Sequence, residues 1–287
     1  MRSDRNQRRT KNRTGSTGTP ALTGPGNEAH YSFKSFDLEI TDNLSEPTGL
    51  DDSQSLLNWG LSALSSSPTA RRMIQEATQE GWCLGLADLD AVDFHLDVPE
   101  RVILLDRNGL DTPAIARSSY FRNMMLISLS RALRDVWQEK RYGGFDEDYA
   151  PQDILMLERV RAADGDVVTV LVGWEMRGAG MPELWRTMLG SEDGDIALAF
   201  SSYLEKEPAS LFNGLALVAA FNQWYRAPAR VNACDHEALE MMDGILETQQ
   251  GGNPFGNKKL GRVALEVLSC LPDKTAYLQN YGHNLLT

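Results

Sequence analysis

Residues 118–140, SSYFRNMMLISLSRALRDVWQEK, decide how the rest of the chain folds. Apolar side chains recur there at three- and four-residue spacing, which predicts an amphipathic helix with one broad apolar face. These side chains are Phe121, Met125, Leu129, Ala132, Leu133 and Val136. Arg131 and Asp135 lie one helical turn apart, beside that face. We therefore expect both to meet a neighbouring element rather than open water.

A second long helix is predicted at residues 151–177, and it carries a single glutamate among mostly small side chains. The residues on that side are Ile154, Glu158, Ala162, Gly165, Thr169 and Val172. Small residues let another helix approach closely, so we expect Glu158 to be partly buried. A buried carboxylate needs a cationic partner, which Arg131 or Arg134 could supply. The β-branched residues 167–172 leave open a helix that ends at 164–166 and continues as a strand.

The segments on either side predict an α+β fold that is predominantly α-helical. Upstream we expect helices at 53–64 and 68–80, then a small β-meander of strands at 82–86, 94–98 and 102–105. Downstream we expect helices at 182–189, 195–206, 208–225, 228–248 and 259–271, and a last helix from Asp273. The predicted order is therefore a small sheet, the helix at 118–140, the glutamate-bearing helix and a C-terminal helical bundle.

The composition changes sharply near residue 32. Residues 1–32 are predicted to be a disordered basic tail, because they nearly lack the large apolar residues that offset the entropy of ordering. We expect residues 33–67 to be a linker with short docking elements. Residues 68–287 should then form one globular domain, with a core at 68–178 and a helical C-terminal part at 181–287.

Charge is distributed as unevenly as composition. Residues 1–30 carry six Lys or Arg against Asp4 and Glu28, which gives them a net charge of +4. Because the whole chain has a net charge of −12, the remaining residues have a net charge of −16. An acidic body excludes strong nucleic-acid binding, because duplex binding needs a basic surface to displace counterions.

The chain has the features of a cytoplasmic protein. No apolar run approaches the length of a membrane-spanning helix, and no hydrophobic segment follows the charged start as it would in a secretory signal. We therefore expect no membrane partner. Cys83, Cys234 and Cys270 follow no metal-binding spacing and are predicted to be buried, reduced thiols. The sequence indicates no oligomeric state.

A short strand, a helix and a second helix with one glutamate follow the order seen in zincin metallopeptidases of the gluzincin type, which this chain resembles. In that group, HExxH supplies two zinc-binding histidines and a general-base glutamate, and a downstream helix supplies a third, acidic ligand. From about residue 68 to 242 the chain also resembles an uncharacterised bacterial family described as putative metallopeptidases. The matching phrases are RSSYFRN, LRDVWQE, MLERVRAAD and ARVNACDHEALE.

Aligning HExxH with residues 131–135 places Arg131 at the first histidine, Ala132 at the general base and Asp135 at the second histidine. Glu158 would be the distal acid. Arginine stays protonated and offers zinc no lone pair, and alanine transfers no proton. The resemblance therefore implies a degenerate site without zinc or any other cofactor. Arg131, held by Asp135 and Glu158, would stand in for the metal. The alternative is an ordinary surface pair of Arg131 and Asp135.

Other candidate metal ligands beside Glu158 are His95, His236 and Glu240. His236 and Glu240 are one turn apart in HEALE, a spacing that suits a divalent ion, although a solvated acidic helix face is commoner. His95 lies in a predicted strand, where a lone histidine is more often structural.

Three function classes stay open. The first is a non-catalytic relative that binds a protein or peptide through the former substrate groove. The second is an active zinc metallopeptidase with atypical ligands. The third class is a helical regulatory protein whose likeness to zincins is accidental.

Overall fold

A computed structural model of the chain describes residues 29–36, 49–90, 92–142, 145–248 and 252–281. Within these residues the fold is α+β and predominantly helical, as the sequence predicts. The strands are β1 (Tyr31–Ser32), β2 (Cys83–Ala87), β3 (Phe94–Asp97) and β4 (Val102–Asp106). The helices are α1 (Ser53–Leu64), α2 (Pro68–Glu80), α3 (Thr112–Arg117), α4 (Ser119–Tyr142), α5 (Pro151–Gly178), α6 (Pro182–Leu189), α7 (Gly194–Lys206), α8 (Ser210–Asn213), α9 (Leu215–Tyr225), α10 (Pro228–Thr248) and α11 (Arg262–Leu268).

The four strands form one mixed sheet in the order β1-β2-β4-β3. β2 and β4 are parallel, with Leu84 opposite Ile103, whereas β3 is antiparallel to β4, with Leu96 opposite Ile103. The predicted β-meander is therefore wrong, because a meander would place β3 between β2 and β4. Alternating apolar residues indicate which face a strand buries, but they do not indicate which strand lies beside it.

One face of the sheet packs on the helices, and this inner face belongs to the main core. Its residues are Leu84, Leu86, Phe94, Leu96, Ile103 and Leu105. α1 contacts β2, and α4 contacts both β3 and β4. On the outer face, Ala87, Val102 and Leu104 form a separate small apolar cluster.

The two predicted long helices, α4 and α5, lie against each other in the middle of the fold. The amphipathic helix predicted at 118–140 is confirmed as α4, whose Leu129 and Ala132 are fully buried. α5 runs unbroken for 28 residues. The helix prediction is therefore confirmed, and the alternative strand from residue 167 is wrong. Glu158 is only 3% exposed, in agreement with the small-residue face predicted around it.

The start of α2 is tied to the end of α5. Glu175 of α5 accepts hydrogen bonds from the Ser67 hydroxyl, from the Thr69 backbone N–H at 3.1 Å and from the Thr69 hydroxyl at 2.9 Å. Ser67 also caps α2 by accepting from the N–H of Ala70. Glu175 therefore satisfies the Thr69 N–H, one of the backbone donors that the first turn of a helix otherwise leaves unpaired.

The globular core begins earlier than residue 68. Leu56, Leu57, Leu61 and Leu64 of α1 are fully buried in the main core, so the expected linker at 33–67 contains a core helix. Apolar residues at three- and four-residue spacing are enough to bury a helix of this length. Tyr31 and Ser32, at the end of the predicted tail, form β1, while residues 1–28 and 37–48 lie outside the described residues.

The C-terminal helices differ from the prediction in three places. The helix predicted at 208–225 is divided at Gly214, where φ is +78° and a Cβ would lie 2.7 Å from the Cβ of Tyr277. Glycine tolerates both constraints. α11 is shorter than the predicted 259–271, and residues 273–281 form turns instead of a last helix. No helix in the described ranges is long and apolar enough to cross a membrane.

Candidate functional site

Arg131 is the centre of a cluster of carboxylates that three separate segments bring to α4. Its Nε donates to Asp166 Oδ1 of α5 at 3.1 Å, and its Nη2 donates to Asp193 just before α7. Its Nη1 lies 3.6 Å from Asp93 Oδ2, just before β3, and the arginine side chain is 13% exposed. The guanidinium is therefore fixed in position and almost enclosed.

The carboxylates keep Arg131 charged. Burial alone would lower the pKa of its guanidinium, but the negative charges of Asp193, Asp166 and Asp93 outweigh burial and raise the pKa. Such a group remains a cation and offers no lone pair to a metal.

Two side chains from the C-terminal helices hold the carboxylates around Arg131. Trp224 Nε1 donates to Asp166 Oδ2 at 2.9 Å. Arg230 lies 3.7 Å from Asp193 Oδ1 and pairs with Asp195 at 2.8 Å. The cluster therefore joins the sheet, α4, α5 and the C-terminal helices through one connected set of charges.

The predicted contact of Arg131 with Glu158 is wrong, because Arg131 contacts Asp93, Asp166 and Asp193 and the charge that acts on Glu158 is that of Arg161. α4 and α5 pack so that Arg131 meets Asp166, and Glu158 is eight residues earlier on α5, which is about 12 Å along a helix axis. The cation whose charge acts on both Asp135 and Glu158 is Arg161 of α5. Arg131 and Arg134, the predicted cationic partners of Glu158, are therefore replaced by Arg161.

Glu158 is buried near two other charged side chains, Arg161 and Glu139. Burial raises the pKa of its carboxyl group, the positive charge of Arg161 lowers it, and the negative charge of Glu139 raises it again, with a net increase. Arg161 is itself 9% exposed and lies 3.4 Å from Glu139. Glu158 therefore belongs to a second cluster, with Arg161 and Glu139. This cluster lies nearer the start of α5 and the end of α4 than the cluster of Arg131.

Arg134, one turn from Arg131, is the centre of a third and fully enclosed cluster. Its Nε donates to Asp164 Oδ2 at 2.6 Å, and both side chains have 0% exposure. Its Nη groups donate to the backbone carbonyls of Leu268 and Cys270 at 3.2 Å. Tyr277 donates to the other oxygen of Asp164 at 2.7 Å. This arginine therefore attaches the C-terminal segment to α4 and α5.

The structure does not bring the predicted metal ligands together. His95 is half-buried in β3, and burial lowers its pKa while the charge of Asp97 raises it. His236 and Glu240 are exposed on α10 and lie 3.2 Å apart. In the part of the chain that the structure describes, no three His, Cys, Asp or Glu side chains are close enough to hold a metal ion.

Ala132, aligned with the general base, is fully buried in the core, so its methyl group packs rather than facing a ligand. The three cysteines are free thiols. Cys234 is buried, as predicted, whereas Cys83 and Cys270 are only half-buried.

Reasoning from the sequence missed the acids that hold Arg131. Asp166 had a signal, because it lies on a helix expected to be buried, where a carboxylate needs a partner. Asp193 is 62 residues from Arg131 and precedes another helix, so no local pattern joins the two. The same holds for Asp93 in the loop before β3.

The comparisons with known proteins give a family but no close relative. A family described as "Putative metallopeptidase family (DUF6782)" has a sequence profile that matches residues 51–278. No curated protein and no solved structure matches the chain. The matched residues include α4, α5 and every side chain named around Arg131, so they cover well over half of the chain. This chain therefore belongs to the putative metallopeptidase family.

Proposed function

We propose that this chain is a non-catalytic member of the family, which binds a protein or peptide partner without cleaving it. The observation that carries the proposal is Arg131, a cation fixed by Asp93, Asp166 and Asp193 at the position aligned with the first histidine of HExxH. A metal-dependent peptidase needs lone-pair donors at that position.

The other aligned positions support the same proposal. Ala132 has no group that transfers a proton, and general-base catalysis needs one within hydrogen-bond reach of the attacking water. Asp135 lies close enough to Arg161 for its negative charge to raise the pKa of that guanidinium, so Asp135 already faces a cation of the protein. Of the three aligned positions, only Asp135 carries a group that could accept a proton or bind a metal, and one carboxylate is too few for a zinc site.

The place for a partner is the surface where Asp93 approaches solvent. Asp93 is 42% exposed while it contacts the enclosed Arg131, and it directly precedes β3, the last strand of the sheet in the order β1-β2-β4-β3. An outer strand offers backbone groups to an extended peptide, and exposed carboxylates select its charge.

Metal content tests this function. We expect the purified full-length protein to contain no stoichiometric zinc by elemental analysis, and its melting temperature to be the same with and without a chelator. Zinc at one equivalent, together with a lower melting temperature in chelator, would contradict the proposal. His236→Ala is the matched control, because zinc that disappears in this variant was held by the exposed His236 and Glu240 pair.

A further inference from the structure

Residues 29–36 occupy the edge of β2 with their backbone. Their strand, β1, is antiparallel to β2 and is the first in the sheet order β1-β2-β4-β3. The N–H of Phe33, the next residue, donates to the Trp82 carbonyl oxygen at 3.1 Å and continues the pairing. The segment therefore binds as an extended chain added to a strand, through main-chain hydrogen bonds.

Two phenylalanines anchor this segment in the main core. Phe33 is 1% exposed and Phe36 is 7% exposed, and the short 3₁₀ turn that begins at Phe33 packs against α2. The Tyr31 ring meets the Phe36 ring edge to face, with the ring centroids 6.2 Å apart. Lys34 and Ser35, between the two anchors, are exposed. The segment thus presents aromatic side chains to the core and polar side chains to solvent.

Gly85 leaves room for the chain to cross the outer face of the sheet. A Cβ at this position would lie 3.0 Å from the His30 ring, 3.1 Å from Leu104 Cδ2 and 3.4 Å from the Ala29 carbonyl oxygen. Glycine inside a strand marks a place where another backbone approaches closely. The sheet is therefore shaped to receive residues 29 and 30 as well as β1.

The segment stabilises its own bound conformation. The Ser32 hydroxyl accepts from the Lys34 N–H at 3.3 Å, and the Ser35 hydroxyl donates to the Ser32 carbonyl oxygen at 2.7 Å. The rings of Phe33 and Phe36 contact each other with centroids 6.3 Å apart. A ligand with local contacts of this kind loses less conformational entropy when it binds. Residues 29–36 therefore have the properties of a short peptide ligand.

The surface that receives the segment belongs to a different part of the chain. α2 and β2 lie within the family-matched residues 51–278, whereas residues 29–36 precede them. The start of α2 is bound by Glu175 of α5, and β2 pairs with β4 on its other side. The receiving surface is therefore tied to the rest of the fold by contacts that the segment does not make.

We propose that the edge of β2 and the adjoining face of α2 form a peptide-binding site, which residues 29–36 occupy in cis. Its ligand is an extended segment that adds to β2 and carries two aromatic side chains three residues apart, as Phe33 and Phe36 are. A partner with such a segment binds only when residues 29–36 leave, so the chain regulates its own site. The site lies at the opposite edge of the sheet from β3 and does not depend on the proposed function.

A labelled peptide of residues 29–36 tests the site in trans, on the full-length protein. Phe33→Ser with Phe36→Ser removes the anchors of the tethered copy, and we name this double variant the release variant. It should bind the peptide at least about tenfold more tightly than the unmodified protein in fluorescence anisotropy, because the tethered copy no longer competes.

Changes in the peptide test which side chains the site recognises. A peptide with Phe33→Ala and Phe36→Ala should bind the release variant at least about tenfold more weakly than the unchanged peptide, because it lacks both aromatic anchors. A peptide with Lys34→Gln is the matched control and should keep its affinity, because the Lys34 side chain is exposed.

Two glycine substitutions, made in the release variant, locate the site on the protein. Gly85→Val places a side chain where the structure has the His30 ring, and it should weaken peptide binding at least about fivefold. Gly244→Val lies on α10, where a Cβ meets nothing within 4 Å, and it should leave the affinity unchanged.

A disulfide closes the site without altering the aromatic anchors. Ser32 lies opposite Cys83, and opposite residues of antiparallel strands have Cα atoms about 4.5–5.5 Å apart, which a disulfide can span. Oxidation of Ser32→Cys should therefore lower the peptide affinity at least about tenfold relative to the reduced form of the same variant. This comparison decides the proposal even if the release variant does not fold, because every aromatic side chain is retained.

Equal peptide affinity of the folded release variant and the unmodified protein would overturn the proposal. Binding that does not depend on the phenylalanines of the peptide, or equal effects of the two glycine substitutions, would do the same. Equal affinity of the oxidised and reduced forms of Ser32→Cys would also overturn it.

Discussion

Arg131 and Arg134 lie three residues apart on α4, yet their surroundings differ. Arg134 has 0% exposure and binds one carboxylate, Asp164, and the backbone carbonyls of Leu268 and Cys270. Arg131 is 13% exposed and faces three carboxylates, one of which reaches solvent. The comparison teaches that a fully enclosed arginine, bound to one carboxylate and two backbone carbonyls, holds chain segments together. The partly open Arg131 faces more negative charge and leaves one of its carboxylates, Asp93, in contact with solvent.

The largest effect is expected from Arg134→Met. Removal of a fully buried cation leaves the buried Asp164 without its cationic partner and two carbonyls without these donors, so the free energy of unfolding should fall by about 3–5 kcal/mol in urea titrations. Asp164→Asn in the same chain is the matched control, because the double variant should lose less than the two single variants together. A loss below about 1 kcal/mol would show that the cluster is not enclosed in solution.

Arg131→Met should have a smaller effect, a loss of about 2–3 kcal/mol of unfolding free energy. Its site is partly open, so water solvates the remaining carboxylates, and Arg230 still balances Asp193. Asp166→Asn should restore part of the loss when combined with Arg131→Met, because it removes one of the uncompensated charges. Greater destabilisation by Arg131→Met than by Arg134→Met would reverse the comparison.

The smallest effect is expected from Glu158→Gln, in the cluster of Arg161. Because burial raises the pKa of Glu158 in the folded state, its contribution to stability is fully present below the unfolded pKa and is lost as pH rises through the folded pKa. The glutamine variant should therefore be more stable than the unmodified protein at pH 7, by roughly 1 kcal/mol, and lose this advantage on acidification toward pH 4.5.

Urea titrations at several pH values measure this difference, with the exposed Glu183→Gln as control. If the stability difference between Glu158→Gln and the unmodified protein did not change with pH, the pKa of Glu158 would be the same in the folded and unfolded states, which would contradict the prediction.

The helices could be predicted from the sequence because their signals are local. The limits of α1 follow from apolar spacing, and those of α2, α6 and α10 follow from apolar spacing and from the proline at the start of each helix. Gly214, which divides α8 from α9 with a φ of +78°, also meets a constraint that is not local, because Tyr277, distant in sequence, leaves no room for a Cβ there. The strand order β1-β2-β4-β3 has the same cause, because pairing is a long-range contact.

In the candidate site, the position and burial of single side chains could be predicted, but their pairing could not. The position of Arg131 beside an apolar face and the burial of Glu158 both follow from helical periodicity. Which carboxylate meets which arginine depends on the offset between α4 and α5, and a shift of two turns exchanges Glu158 for Asp166. That offset is set by core packing along both helices, so no motif within either helix contains it.

The contact of Glu175 with the start of α2 has a consequence for folding. It joins positions 106 and 108 residues apart, so the backbone N–H of Thr69 acquires its acceptor only after α5 is in place, whereas the N–H of Ala70 has a local acceptor in Ser67. The Thr69 amide hydrogen should then exchange with solvent at the rate at which the end of α5 detaches from α2. Closure of such a long loop also places this contact among the later events of folding, after the local helices have formed.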